Sequence, residues 1–217
     1  MNKVLIIENA QYDFMPGGSL EIKDGDKIIP KINSLLPKFD LVIFTKDWHP
    51  KNHISFASQW PNNKPFDDLV LHHSKQTLWP DHCVQNTRGS DIHDDINYGA
   101  LKKDFYIFKK GVQQRTDSYS GFYDKKVIIT KSKSSNKLLI STGLTEFLKN
   151  RNIEQVFIAG LTLDFCYTAI DSVKCGFDTY VFEDAIKPIN SDFIQILKDF
   201  KTNNIKLIET FEFEQLN

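Results

Sequence analysis

Residues 156–174 read Val156-Phe157-Ile158-Ala159-Gly160-Leu161-Thr162-Leu163-Asp164-Phe165-Cys166-Tyr167-Thr168-Ala169-Ile170-Asp171-Ser172-Val173-Lys174. The opening run Val156–Ile158 is apolar without alternation, as in a strand buried on both faces. From Asp164 to Lys174 apolar residues return at helical spacing. A buried strand leading into a helix is one βα unit, and the pattern recurs along the chain. Val4–Ile7, Leu41–Phe44, Phe105–Phe108, Thr179–Phe182 and Ile205–Ile208 also read as strands. Gly25–Leu36, Leu139–Lys149 and Asp192–Phe200 have helical spacing, the last opened by Ser191-Asp192. Buried strands separated by helices require a sheet covered on both faces. The expected class is α/β: a three-layer α/β/α sandwich around a mostly parallel sheet of about six strands, in a single domain over residues 1–217.

Composition narrows the function. Lys and Arg number 27 against 28 Asp and Glu, a net charge of −1 that offers no field for nucleic acid or an anionic membrane. No apolar run approaches the roughly 18 residues of a membrane span. The start, Met-Asn-Lys-Val-Leu-Ile-Ile-Glu, places an acid where a signal peptide would continue its apolar stretch. Three cysteines, Cys83, Cys166 and Cys175, are an odd and small number, which fits reduced thiols in a cytoplasmic protein.

Two stretches break the alternation. Residues 47–100 hold all three tryptophans, all six histidines and four of the eight prolines. Residues 111–124 form the second. Both begin at carboxyl ends of strands, where ligands of open α/β sheets bind. In the first stretch Asp47-Trp48-His49 puts a carboxylate and an imidazole on one side of an extended segment. Such a pair suits zinc, iron or manganese if a further ligand joins it, from His53, His72, His73, His82 or His93; a metal-free Asp/His pair fits the spacing equally. Cys166 stands at the start of the helix Asp164–Lys174, where the positive end of the helix dipole would lower a thiol pKa. An inert buried thiol is the plainer reading of its position alone. Lys110 ends a strand just before Gly111, as a solvated cap or, beside a cysteine in a cleft, as a partner for thiolate.

Five segments in order resemble the isochorismatase-like cysteine hydrolases, and among them the nicotinamidases, also called pyrazinamidases. They are Gln11–Gly18 (QYDFMPGG), Asp47–Ala57 (DWHPKNHISFA), Leu78–Val84 (LWPDHCV), Lys110-Gly111 with Asp117–Phe122 (DSYSGF), and Gly160–Cys166 (GLTLDFC). The resemblance implies an amidase that converts nicotinamide or pyrazinamide to the ring acid and ammonia through a thioester. It implies Cys166 as nucleophile with Lys110 beside it, and a divalent metal, zinc first, on Asp47, His49 and His82, gripping the ring nitrogen. His53 then supports the ligands from outside. Phe14, Trp79 and Tyr119 become the aromatic walls, and Leu161 and Thr162 border the substrate. Backbone N–H groups of Thr162 and Cys166 become the oxyanion hole, with a cis peptide between Leu161 and Thr162. Relatives of this type often form dimers or tetramers. Isochorismatases and carbamoyl-amide hydrolases of the same fold generally lack this Asp/His set.

One departure outweighs the matches. The family's catalytic aspartate stands two residues before the glutamine of the first segment, and here that register reads Glu8-Asn9-Ala10-Gln11. An amide cannot take the thiol proton, and general acid–base groups contribute typically ~10²–10⁴-fold in rate. Slow turnover or none is the expectation for Asn9: a disabled or engineered chain that still binds, or one in which Glu8, a water or Lys110 moves the proton. Glu8 faces the other way on a regular strand and would need a bulge to reach in. Phe165 before the nucleophile is a second departure, adding apolar bulk. The alternatives are another amide hydrolase of this fold, or a nicotinamide-binding protein without catalysis.

Overall fold

A computed structural model describes residues 2–71, 74–103, 105–129, 135–189 and 193–215. Along the chain run β1 (Lys3–Glu8), α1 (Ile29–Leu35), β2 (Val42–Asp47), β3 (Asp68–Leu71), β4 (Ser74–Thr77), β5 (Phe105–Lys110), β6 (Tyr123–Ile129) and β7 (Ser135–Ser141). They are followed by α2 (Leu144–Lys149), β8 (Gln155–Leu161), α3 (Asp164–Lys174), β9 (Asp178–Lys187), α4 (Phe193–Thr202), β10 (Lys206–Ile208) and α5 (Thr210–Gln215). Six strands form one sheet in the order β10-β9-β8-β1-β2-β5, and every neighbouring pair is parallel. These are the six strands expected from the apolar runs.

Strand alternation divides the core in two. Leu5 and Ile7 of β1 face a cluster with Ile32 and Leu35 of α1 and Phe213 of α5. Val4 and Ile6 face the opposite cluster, with Leu144 and Leu148 of α2, Ala169 of α3 and Phe200 of α4. The sheet is therefore covered on both faces, a three-layer α/β/α sandwich. No helix among the described residues is long and apolar enough to cross a membrane.

Two antiparallel hairpins, β3–β4 and β6–β7, lie outside the main sheet. They are the main correction to the sequence reading. Leu139–Ser141 was expected in a helix but belongs to β7, and α2 starts only at Leu144, after Gly143 turns the chain at φ 89°. The lysine- and serine-rich segment Lys131–Lys137 was expected as a loop, yet its Ser135–Lys137 pairs with β6; its 131–134, like Ser191-Asp192, His72 and His73, lies outside the described residues. Cross-strand pairing across these hairpins decides those segments, and short mixed runs do not announce it.

The sheet order also locates the site. From central β1 the chain moves outward to β2 and β5, then returns to lay β8 on the other side of β1. Ligands bind outside the carboxyl ends of strands at such a reversal. Asn9 follows β1, Asp47 ends β2, Lys110 ends β5, and Thr162 follows β8.

Candidate active site

These four strand ends bring a charged cluster together. Lys110 Nζ is paired with Asp47 Oδ1 and with Asp164 Oδ2, and the lysine side chain is fully buried. Burial alone would lower its pKa, but the carboxylates of Asp164, Asp47 and Glu8 outweigh that and raise it, so it is a firm cation. Asp164, the first residue of α3, moves the other way: burial raises its carboxyl to about 7 although Lys110 pulls it down. Asn9 donates from Nδ2 to Asp164 Oδ2 at 2.7 Å, with Thr162 Oγ1 at 3.2 Å and Asp47 Oδ2 at 3.4 Å. Three acceptors around one end of the amide require its nitrogen there. Asn9 Oδ1 is buried with no hydrogen-bond partner among the described residues. The backbone of Asn9 is left-handed, φ 53°, a conformation that Asn and Asp accept more readily than most residues.

Glu8 makes no hydrogen bond to this cluster among the described residues and acts on Lys110 only through its charge. The pairing of β1 with β2 and β8 runs without a shift through Glu8, so its side chain turns to the other face of β1. There it accepts from Thr45 Oγ1 and lies against Gly121 and Thr168. Burial raises its carboxyl pKa against the pull of Lys110 and Thr45.

Beside Lys110 stands a second constellation. Ligand atoms of Asp47, His49 and His82 all lie within 4.8 Å of one another. The Nε2 atoms of His49 and His82 are 3.9 and 4.0 Å from Asp47 Oδ2. Each imidazole gives its other nitrogen to a backbone carbonyl: His49 Nδ1 to Gly111 O at 2.9 Å and His82 Nδ1 to Pro80 O at 2.8 Å. A carbonyl only accepts, so Nδ1 carries the proton and Nε2 presents its lone pair to the shared space. Burial lowers both imidazole pKa values, keeping the rings neutral. Two neutral imidazoles and a carboxylate fit a divalent metal ion. His53 is stacked on His49 at 4.2 Å, and both its nitrogens are engaged, by Ser55 Oγ at 2.7 Å and Thr116 O at 3.0 Å. It supports His49 from outside. His93 packs on Tyr12 and faces Asp95, away from the cluster.

The segment Gln11–Gly18 acts as scaffold. Gln11, fully buried, spans the backbone of Asp47 with both amide groups at 2.8 Å and reaches Ser90 O at 2.9 Å. Asp13 Oδ2 accepts the Cys83 N–H at 2.6 Å, fixing the loop that carries His82. Gly111, at φ 60°, has no room for a side chain: an added Cβ would lie 2.3 Å from His49 Cε1.

A cavity of about 280 Å³ opens over both constellations. Phe14, Trp79 and Tyr119 line it together with Asp47, His49, His82, Thr162 and Asp164. Sequence reading passed over three neighbours. Asp164 lay inside a quoted segment, two residues before the cysteine, where an acid in a first helical turn reads as ordinary capping. Tyr167 lines the rim at 5.6 Å from the Tyr119 ring. Gln76 on β4 donates to Asp117 Oδ2 at 2.7 Å, and Asp117 lines the cavity; only the hairpin's placement shows this.

Other expected positions fall elsewhere. Leu161 packs in the core beneath the cavity. The Leu161–Thr162 peptide is trans, and Thr162 turns the chain at φ 68° instead. The Cys166 N–H donates to Leu163 O at 3.0 Å, within the helical turn, where an oxyanion donor was expected. Cys166 itself is buried among apolar side chains of the α3 layer and is not among the cavity-lining residues. Its thiol pKa is raised, not lowered as its place at a helix start implied, by burial and then by the carboxylates of Asp164 and Asp199.

A parallel sheet with metal-capable and lysine–carboxylate clusters at its carboxyl edge defines an α/β protein whose candidate active site lies at that edge. Residues 3–198 match the isochorismatase domain, and the chain belongs to that family. A nicotinamidase of Acinetobacter baylyi is 41% identical over 87% of this chain and 83% of its own length. The solved nicotinamidase/pyrazinamidase of Acinetobacter baumanii superposes with a TM-score of 0.86 at 36% identity, covering 98% of each chain. The pyrazinamidase of Pyrococcus horikoshii, solved in complex with zinc, gives 0.73 at 32% identity over 96% of this chain and 99% of that one. Within its family the chain is thus a nicotinamidase-like hydrolase acting on an amide.

Proposed function

We propose that the protein hydrolyses nicotinamide, or the related pyrazinamide, to the ring carboxylic acid and ammonia. The observation that carries this reading is the convergence of two imidazole Nε2 atoms and Asp47 Oδ2 on the wall of an aromatic-lined cavity. Asp47, His49 and His82 would hold a divalent ion, zinc in the first place. When bound, that ion supplies a Lewis-acid grip on the ring nitrogen. Phe14, Trp79 and Tyr119 would flank the flat ring and exclude water. Cys166 is the proposed nucleophile: its sulfur bonds to the amide carbon, ammonia leaves, and water releases the acid from the thioester. Lys110 supplies a fixed positive charge near the reacting centre.

Ammonia release from nicotinamide by zinc-loaded protein tests the reading. Turnover is expected, with a thioester adduct on Cys166 detectable by mass spectrometry and no adduct in Cys166→Ala. Turnover by Cys166→Ala at the wild-type rate would remove Cys166 as nucleophile. A second reading, a nicotinamide-binding protein without turnover, is favoured by the apolar packing of Cys166 and the amide at residue 9. Its signature is stoichiometric nicotinamide binding with neither ammonia nor adduct.

A further inference from the structure

We propose that Asp164 performs the proton transfers of the amidase reaction, in place of the carboxylate that the family carries at the position of Asn9. The inference rests on the amidase reading above and deepens it.

The geometry supplies the reason. Asn9 Nδ2 donates to Asp164 Oδ2 at 2.7 Å, so a carboxylate oxygen lies one hydrogen bond from the side-chain tip of residue 9. That same oxygen is paired with Lys110 Nζ. Asp164 also lines the cavity, which gives it access to a bound amide. It opens α3, and Cys166 follows two residues later in the same turn. The Asp164 carboxylate is near enough for its charge to act on the Cys166 thiol.

The neighbouring groups are otherwise committed. Lys110 is held as a cation by three carboxylates. Asp47 gives Oδ1 to Lys110 and turns Oδ2 toward the two imidazoles. Glu8 accepts from Thr45 Oγ1, lies by Thr168 of α3 and is not among the residues that line the cavity. Asp117 accepts from Gln76 Nε2 and from the Ser118 N–H. Asn9 has no basic lone pair.

The steps balance without a further reagent. Asp164 takes the S–H proton as sulfur bonds to the carbonyl carbon. The C–N bond breaks and Asp164 returns that proton to the nitrogen, which leaves as ammonia. Water gives a proton to Asp164 and bonds to the thioester carbon; the C–S bond breaks and the proton returns to sulfur. One amide and one water become one acid and one ammonia.

Four zinc-loaded proteins test this with nicotinamide: wild type, Asp164→Asn, Asn9→Asp and the double variant Asn9→Asp/Asp164→Asn. The double variant moves the carboxylate one hydrogen bond back to residue 9 and keeps the charge count around Lys110, guarding against a folding defect. Asp164→Asn is expected to lower kcat by ~10²–10⁴-fold, and the double variant to return to within about tenfold of wild type. The ascending limb of the kcat/KM pH profile should move in the double variant, because the acid has changed place among Lys110, Asp47, Glu8 and Cys166. A limb that stays put would assign the proton elsewhere and overturn the proposal, as would an equal loss in both backgrounds or no loss in Asp164→Asn. Wild type inactive while Asn9→Asp turns over would also overturn it and leave the amidase reading standing. Nicotinamide bound but hydrolysed by none of the four would overturn both.

Discussion

Gly111→Ala is a severe test of the metal-site reading because it alters no ligand. A methyl on Gly111 would sit 2.3 Å from His49 Cε1 and 2.5 Å from Nδ1, where carbon contacts settle near ~3.5–4.0 Å. The imidazole must retreat by about an ångström, yet His53, Phe56 and His82 pack against it at ring separations of 4.2, 5.6 and 4.9 Å. The left-handed φ of 60° adds a backbone cost of roughly 1–2 kcal/mol for a residue with a Cβ. Losing the hydrogen bond from Nδ1 to Gly111 O adds about 1 kcal/mol. Together the loss is about 2–3 kcal/mol, and disturbing a ligand's supporting bond should weaken metal binding by ~10–100-fold. Urea denaturation of metal-free protein reads the first effect, and zinc titration against a competing chelator reads the second. Gly143→Ala is the control: its φ is 89°, but nothing lies within 4 Å of an added Cβ. It should lose only the backbone part and bind zinc as wild type does. If Gly111→Ala matched Gly143→Ala in both measurements, the argument that Gly111 makes room for His49 would be wrong.

Other consequences follow from the same cluster. Lys110→Met strips the cation from two buried carboxylates and should cost ~3–5 kcal/mol in urea denaturation; a loss under about 1 kcal/mol would show that the pairs contribute little. His49→Ala should abolish stoichiometric zinc binding measured by elemental analysis, while His53→Ala should only weaken it, since both His53 nitrogens are turned to Ser55 and Thr116. Equal metal content in the two variants would rule out that division of roles. With its pKa raised from 3.8 to about 7, Asp164 keeps in the folded state a proton that the unfolded chain gives up. Between those values the folded chain binds more protons, so stability falls as pH rises from about 4 to 7. Thermal melts of metal-free protein should show that slope reduced in Asp164→Asn; an unchanged slope would place the proton on another group.

The six strands of the sheet were legible because each is buried on both faces, and a strand so buried must be apolar without interruption. Val4–Ile7 and Val156–Ile158 declare themselves this way, as does the helix from Asp164 through its 3.6-residue spacing. The hairpins β3–β4 and β6–β7 carry equally short runs, Leu69–Leu71, Val127–Ile129 and Leu138–Ile140, but they pair with each other outside the main sheet, and Leu138–Ile140 continues into the apolar spacing of α2, so periodicity alone merges it with that helix. The Asp47/His49 pair could be seen in the spacing, because two residues along an extended segment return a side chain to the same face. His82 could not be selected from the other histidines by spacing. The tertiary structure selects it by holding its Nδ1 on Pro80 O and bringing its Nε2 to Asp47.

Asn9 shows the same division. Its identity and the lack of a proton acceptor there are properties of the sequence alone, and so is the turn of Glu8 to the other face of β1, which follows from strand alternation. That a second carboxylate waits one hydrogen bond away is settled only by the fold. Residues 9, 47, 110 and 164 lie at four strand or helix ends that nothing local relates, and it is the parallel order of β8, β1, β2 and β5 that sets them side by side. The thiol pKa is decided at that level too. A helix N-terminus favours thiolate through its dipole, but the burial of Cys166 and the nearby charges of Asp164 and Asp199, which raise the thiol pKa, exist only once the layers have packed.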